Sequence, residues 1–306
     1  MHSTTLRVAA VQAEPVPGDV ATNAKAGARL VAQAAGEGAR VAVLPELFLP
    51  AYHPPALAAD PDGTAVRADA ERRVVGDVRL DPLRDAARDH GVVIVVGASV
   101  RHADDRLTCS SLVVDRTGAV VVGYDKQQLW GPDESSLFVP GDHGASVAID
   151  GWQFGLGICY DGCFPEHGRA AALDGADGYL IPSGYVQGSA HRRDIYYAAR
   201  ALDNTMYVVF ANNVGGEAPW SFNGGAAIYE PEGRALVRAP DSGEHVVVAN
   251  LDRDELVRIR ADHSMLADRI SDLGTRRYLE INETSTDSDG PTPKSSRRFV
   301  ADRPIS

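Results

Sequence analysis

Cys159 closes the glycine-punctuated apolar run Phe154-Gly155-Leu156-Gly157-Ile158 and opens the segment Tyr160-Asp161-Gly162-Cys163-Phe164-Pro165-Glu166. A thiol at a strand-to-turn junction keeps one face open to a substrate, and the backbone N–H groups just after it can point at a developing oxyanion. That placement suits acyl transfer, although a cysteine at a strand end is also an ordinary small core residue. Two upstream segments sharpen the choice. Leu44-Pro45-Glu46-Leu47-Phe48 and Tyr124-Asp125-Lys126-Gln127-Gln128-Leu129-Trp130 each set one charged side chain at a strand end among apolar neighbours. Burying Glu46 alone would cost several kcal/mol, so it needs solvent, a proton or a partner, and Lys126 is the obvious partner. The chain has three lysines, Lys25, Lys126 and Lys294, against 27 arginines. A lysine in an apolar setting here is selected for its compact ammonium, which can hold three acceptors at one point.

Other chemistries fit the residues less well. Cys159 and Cys163 flank three residues, but no second Cys/His pair at matching spacing completes a structural zinc site. The nine histidines form no H-E-x-x-H pattern, and Gly215-Gly216 lacks the Lys-Ser/Thr that follows a phosphate loop. No metal is expected from these patterns. With 30 basic and 42 acidic residues the formal charge is −12, and no basic run is dense enough to neutralise a phosphate backbone, so nucleic acid is excluded as a partner. The apolar run Val92 to Val96, bounded by Gly91 and Gly97, falls far short of the roughly 20 residues that cross a bilayer. Leu6 to Ala13 is too short, and broken by Arg7, to serve as a secretory hydrophobic region. Three cysteines cannot all pair within one chain, which points to a reducing compartment, and a cytoplasmic location is expected.

A chain of 306 residues with 44% hydrophobic and 24% charged residues can build a sizeable core. Leu6 to Ala13 reads as a buried strand, and Asp19 to Gly36 as a helix capped by Asp19. Arg40 to Leu44 is a second strand ending at Pro45. Asp81-Pro82 starts a helix that Gly91 stops before the strand Val92 to Ala98. From Ser99 to Tyr124 the turns Asp104-Asp105 and Thr117-Gly118 separate strands of an antiparallel meander. A hairpin follows about Asp150-Gly151, then a helix from Pro165 to Asp174, a strand Gly178 to Ile181, a helix His191 to Asn204 and a strand Tyr207 to Asn212. Three strands fill about 225 to 251, ahead of a short helix near Arg253. Residues 1–263 read as one α/β domain and 264–306 as a polar C-terminal extension, since beyond Thr284 the composition cannot form a core.

The segments Pro45-Glu46-Leu47, Asp125-Lys126-Gln127 and Ile158-Cys159-Tyr160-Asp161 with Phe164-Pro165-Glu166 resemble the carbon-nitrogen hydrolase (nitrilase) superfamily in order, context and spacing. The likeness extends to Phe138-Val139-Pro140-Gly141-Asp142, Ala199-Arg200-Ala201-Leu202-Asp203-Asn204, Ala211-Asn212-Asn213-Val214-Gly215 and Phe222-Asn223-Gly224-Gly225. It departs at Ala226, where Ser is frequent, and at Asp203, where Glu is common. The resemblance implies an α-β-β-α four-layer sandwich, a Glu-Lys-Cys triad, no metal and no organic cofactor. It implies Cys159 as nucleophile, Glu46 as general base and then acid, and Lys126 as the oxyanion's cation with the Tyr160 N–H as second donor. A further glutamate between lysine and cysteine matches Glu134, with Asp133 as rival. Tyr160-Asp161-Gly162-Cys163 lacks the Trp-Glu of nitrilases and the Arg of carbamoyl hydrolases, so the resemblance favours an amidase acting on a small primary amide. Hydrolysis of N-carbamoyl compounds or nitriles on the same triad, and a non-catalytic binding protein of the same fold, are the alternatives. Tyr52, His53, Trp130, Tyr160, Cys163, Phe164, Ser183 and Tyr185 are the candidate pocket walls. The resemblance also implies a homodimer or higher homo-oligomer, through the helices around 165–204 and with residues 264–300 reaching across subunits.

Overall fold

The structure, a computed structural model, describes residues 4–70 and 73–278. The chain divides into a unit spanning Met1–Leu266 and a second spanning Ala267–Ser306. The described part of the second unit, residues 267–278, is exposed throughout. Most of the segment expected to cross between subunits lies outside the described residues.

In the first unit, β1 (Thr5–Ala13) leads to α1 (Val20–Gly36), whose Asp19 cap accepts the Thr22 N–H at 2.9 Å. There follow β2 (Val41–Val43), α2 (Pro54–Ala59), β3 (Ala65–Arg67), α3 (Asp81–His90), β4 (Val93–Arg101), β5 (Leu107–Val114), β6 (Val120–Asp125) and α4 (Gly131–Leu137). The second half runs β7 (Ala145–Ile149), β8 (Trp152–Leu156), a 3-10 turn Cys159–Cys163, α5 (Pro165–Leu173), β9 (Gly178–Ser183), α6 (Ala190–Asn204) and β10 (Tyr207–Gly215). It ends with β11 (Phe222–Asn223), β12 (Ala227–Tyr229), β13 (Ala235–Arg238), β14 (His245–Asp252) and α7 (Arg253–Asp262).

The strand order is β6-β5-β4-β2-β1-β10-β9-β8-β7, with β14 antiparallel to β1. β1 and β10 meet through Gln12 with Asn212 and Ala13 with Asn213, so the sheet has two halves hinged at one end. Alternation along β1 shows how the halves pack. Leu6, Val8 and Ala10 join an inner cluster that includes Val43 and Val95 from one half and Phe154, Leu180 and Val209 from the other. Ala9, Val11 and Ala13 face outward onto Leu30 and Val31 of α1 and Leu83 and Ala87 of α3. On the opposite outer face, Tyr179, Ile181, Val208 and Phe210 pack with Ala172 of α5 and Tyr197 and Ala201 of α6. Helices, sheet half, sheet half and helices make the expected four layers, and the period of two keeps each strand's two faces in different cores.

The structure refines several boundaries. Asp81 is the first residue of α3 and its side chain makes no capping bond, whereas Gly91 ends the helix at φ 61° as read. The hairpin strand β8 stops at Leu156, and Cys159 begins the 3-10 turn. Short elements escaped the reading, among them β3, β11, α2 and α4, and α4 carries Glu134. The chain leaves β2, β6, β8 and β9 at one end of the molecule, the carboxyl ends where open α/β sheets place ligands.

Candidate active site

Glu46 lies just beyond β2, on a loop that crosses close over β4. A Cβ on Gly97 would stand 2.3 Å from the Leu47 nitrogen and 2.4 Å from the Pro45 oxygen, so only glycine lets this loop pass. The Glu46 backbone is held at both ends, its N–H donating to Ser183 O at 3.3 Å and its carbonyl accepting from Asn213 Nδ2 at 2.9 Å. Lys126 follows β6 directly, its N–H bonded to Cys109 O at 2.9 Å.

Both side chains are fully buried. Lys126 Nζ donates to Glu46 Oε1 at 2.6 Å and to both Glu134 oxygens at 2.7 Å. Glu134 is held in turn by Tyr52 OH at 2.7 Å and the Trp130 N–H at 2.9 Å. Its rival Asp133 instead accepts from Trp220 Nε1 at 3.3 Å. Burial of three charged groups is tolerable because each has charge-assisted partners.

Cys159 sits with φ 43°, in the left-handed region that costs a non-glycine residue about 1–2 kcal/mol. Its carbonyl accepts from Tyr197 OH at 2.9 Å. Asp161, two residues on, accepts from the Ile158 N–H at 3.0 Å and from Tyr124 OH at 2.9 Å. The turn is thereby braced on both sides of a half-buried thiol. The Tyr160 N–H lies at the start of the 3-10 turn, where N–H groups lack partners within the turn.

Electrostatics set the resting protonation. Burial lifts the Glu46 carboxyl to about 7, with the Lys126 ammonium pulling it down and the Glu134 charge pushing it up. Burial opposes the Lys126 charge, but Glu134 and Glu46 outweigh it and hold the ammonium protonated well above the ordinary lysine range. Burial and the Glu46 charge push the Cys159 thiol well above the usual range, against Lys126 and the Gly184 N–H. Such a site starts as a thiol beside a carboxylate that titrates near neutrality. Glu46 Oε2, buried without a hydrogen-bond partner and 3.1 Å from where a Gly184 Cβ would lie, is the acceptor left open.

A cavity of about 80 Å³ opens onto Cys159 and Glu134 and is walled by Tyr52, Trp130, Tyr160, Cys163 and Tyr185. Three of the expected wall residues face elsewhere. His53 caps α2, accepting the Ala56 N–H at 3.2 Å, and packs edge-on to Trp220 beside a neighbouring cavity. Phe164 packs edge-on to Tyr160 and borders an outer groove. Ser183 is buried, its hydroxyl paired with Tyr197 OH at 3.3 Å. Val186, Ser189, Arg192 and Tyr196 line the cavity at Cys159 without having been singled out; the helical pattern of α6 does not say which turn meets it. Cys109 also enters unannounced, its Sγ 3.8 Å from Glu46 Oε1.

Set beside known proteins, this chain and its fold have clear counterparts. The carbon-nitrogen hydrolase family model matches residues 7–261, and the chain belongs to that family. It is 34% identical to an (R)-stereoselective amidase from a Pseudomonas species over 86% of this chain and 91% of that one. It is also 34% identical to a nitrilase from Pyrococcus abyssi over 81% of this chain and 90% of that one. Among solved structures, an amidase from Nesterenkonia sp. AN1 in complex with acrylamide superposes with a TM-score of 0.75 at 28% identity, covering 88% of this chain and 95% of that one. A butyramide complex of the same amidase gives 0.72 at 29% identity, covering 84% and 95%. In another structure of that enzyme, acrylamide has added to the active-site cysteine.

Proposed function

We propose that this carbon-nitrogen hydrolase is a cysteine-dependent amidase that converts a small primary amide to carboxylate and ammonia. Cys159 Sγ attacks the amide carbon while Glu46 takes the thiol proton. The tetrahedral oxyanion rests between the Lys126 ammonium and the Tyr160 N–H, and Glu46 returns the proton to the departing nitrogen. Water then attacks the thioester, Glu46 accepts its proton and passes it to the Cys159 sulfur as the carbon–sulfur bond breaks, and the acid leaves as its carboxylate. Glu134 keeps Lys126 aimed. Tyr52, Trp130, Tyr160, Cys163 and Tyr185 shape the acyl pocket, while His53, Phe164 and Ser183 support it from behind.

The observation that carries this reading is the convergence of Glu46, Lys126 and Glu134 within 2.6–2.7 Å contacts beside the cavity that holds Cys159. The likeness to an (R)-stereoselective amidase and to an amidase in complex with acrylamide supports amides as substrates. The test is ammonia release from short amides, nitriles and N-carbamoyl amines, with Cys159→Ala as control. Amide turnover lost in the variant is the expected result. Carbon dioxide released with ammonia would select the carbamoyl branch instead. No turnover of any compound, with iodoacetamide labelling Cys159 no faster than the buried Cys109, would overturn the catalytic reading in favour of a binding protein.

A homodimer or larger assembly is part of the proposal, supported by the apolar side chains of Leu173 on α5 and Ile195 and Leu202 on α6, which are exposed. Light scattering showing a monomer would remove it. The three free thiols support a cytoplasmic location, and no described helix is long and apolar enough to cross a membrane.

A further inference from the structure

Arg192, in the first turn of α6, is exposed and lines the cavity that holds Cys159. Between residues 4 and 266, the other described arginines except Arg169 bond a carboxylate or a backbone carbonyl. The Arg192 guanidinium has no such partner among the described residues. Arg169 does not line this cavity, so among the described residues Arg192 is the one unpaired guanidinium in the wall it shares with Cys159.

Glu134, the carboxylate among the residues that line this cavity, is not free to serve it. Both Glu134 oxygens are already taken by Lys126, Tyr52 and the Trp130 N–H. The remaining walls are mostly aromatic or apolar, with the Ser189 and Cys163 side chains engaged inside the protein at Val186 O and Tyr185 OH. In a chain of net charge −12 the general field repels anions. A free guanidinium at the cavity reverses that field locally and offers a planar fork matched to a carboxylate.

We propose that Arg192 is a specificity residue and that the substrate is a short amide or carbamoyl compound bearing a carboxylate. This rests on the reading of Cys159 as the nucleophile of a hydrolase, whether its substrate is an amide or a carbamoyl compound. The carboxylate meets Arg192 while the reacting carbonyl lies against Cys159 Sγ, and a cavity of about 80 Å³ keeps the chain between them short.

The experiment measures kcat/KM of the full chain for butyramide and for succinamate, which carries a carboxylate in place of the terminal methyl, and for N-carbamoyl-β-alanine. Succinamate is expected to exceed butyramide by about tenfold, the worth of one charge-assisted hydrogen bond. Arg192→Gln should bring the ratio close to one, mainly through KM for succinamate. Rising ionic strength should raise that KM in the wild type, because the group is exposed. A larger preference for N-carbamoyl-β-alanine, with carbon dioxide released, would place the carboxylate on a carbamoyl compound and still support the proposal. Equal turnover of butyramide and succinamate by the wild type, or an equal fall for both in Arg192→Gln, overturns it while leaving the amidase reading intact. No turnover of any of the three, nor of a wider amide panel, is the separate failure of that reading and overturns the substrate assignment with it.

Discussion

The Asp161 carboxylate accepts the backbone N–H of Gln128 at 2.8 Å, and so ties the segment that carries Lys126 to the turn that carries Cys159. Its second oxygen accepts the Ile158 N–H at 3.0 Å and Tyr124 OH at 2.9 Å. His167 Nε2 shares that tyrosine oxygen at 2.8 Å and its Nδ1 pairs with Tyr179 OH at 2.7 Å, extending the brace to β9. Lys126 and Cys159 belong to different halves of the sheet, and this buried carboxylate fixes their separation.

Asp161→Asn tests the brace. The amide nitrogen cannot accept an N–H, so one of the two backbone bonds is lost at about 1–3 kcal/mol. The expected outcome is a fall in kcat of about ten- to a hundredfold, a smaller change in KM, and slower labelling of Cys159 by iodoacetamide. An unchanged kcat for the folded fraction, with only a lower melting temperature, would reduce Asp161 to a structural role.

Lys126→Ala should act on two observables at once. Removing the ammonium leaves Glu46 and Glu134 buried without their shared partner, a defect worth about 3–5 kcal/mol that lowers the melting temperature by roughly 6 °C or more. It also removes one oxyanion donor, and kcat should fall by about a hundred- to a thousandfold. Circular dichroism melts and steady-state rates check the two effects separately. A variant as active as the wild type would end the role given to Lys126.

How much of this was legible before the structure varied with the kind of signal. Glu46, Lys126 and Cys159 stand at strand ends inside short quoted segments, so both their types and their context were readable. Glu134 could be picked by its offset from Lys126, but not its seat, because α4 has 7 residues and α2 only 6, too short for a helical period to show. Cys109 and Arg192 were invisible as neighbours of the site. β5 is buried on both faces, so no alternation singles out the side of Cys109, and nothing in its segment says that Glu46 lies across the gap. Likewise the pattern of α6 buries Tyr197 and Arg193 without revealing that Arg192 lines the cavity. Short-range pattern specifies elements; contacts between the two sheet halves depend on how those halves close.

The pH profile follows from Glu46. Its carboxyl is raised to about 7, so it is protonated below that value and cannot take the Cys159 proton. The logarithm of kcat/KM should therefore fall with slope one as pH drops below about 7. Glu134→Gln removes a negative charge that pushes Glu46 upward, and the acid limb should move to lower pH in that variant. A profile flat from pH 5 to 8 would contradict the assignment of Glu46 as base.

Backbone strain at Cys159 gives a prediction independent of catalysis. At φ 43° a Cβ is unfavourable and glycine is not. Cys159→Gly and Cys159→Ala both delete the thiol, so on packing grounds alone the alanine variant should be the more stable, since it keeps more of the side chain. The strain argument orders them the other way, with Cys159→Gly more stable by about 1 kcal/mol, or roughly 2–4 °C in melting temperature. Neither variant should hydrolyse an amide. Equal melting temperatures, or alanine above glycine, would mean that the turn braced by Tyr197 and Asp161 stores no strain at its nucleophile.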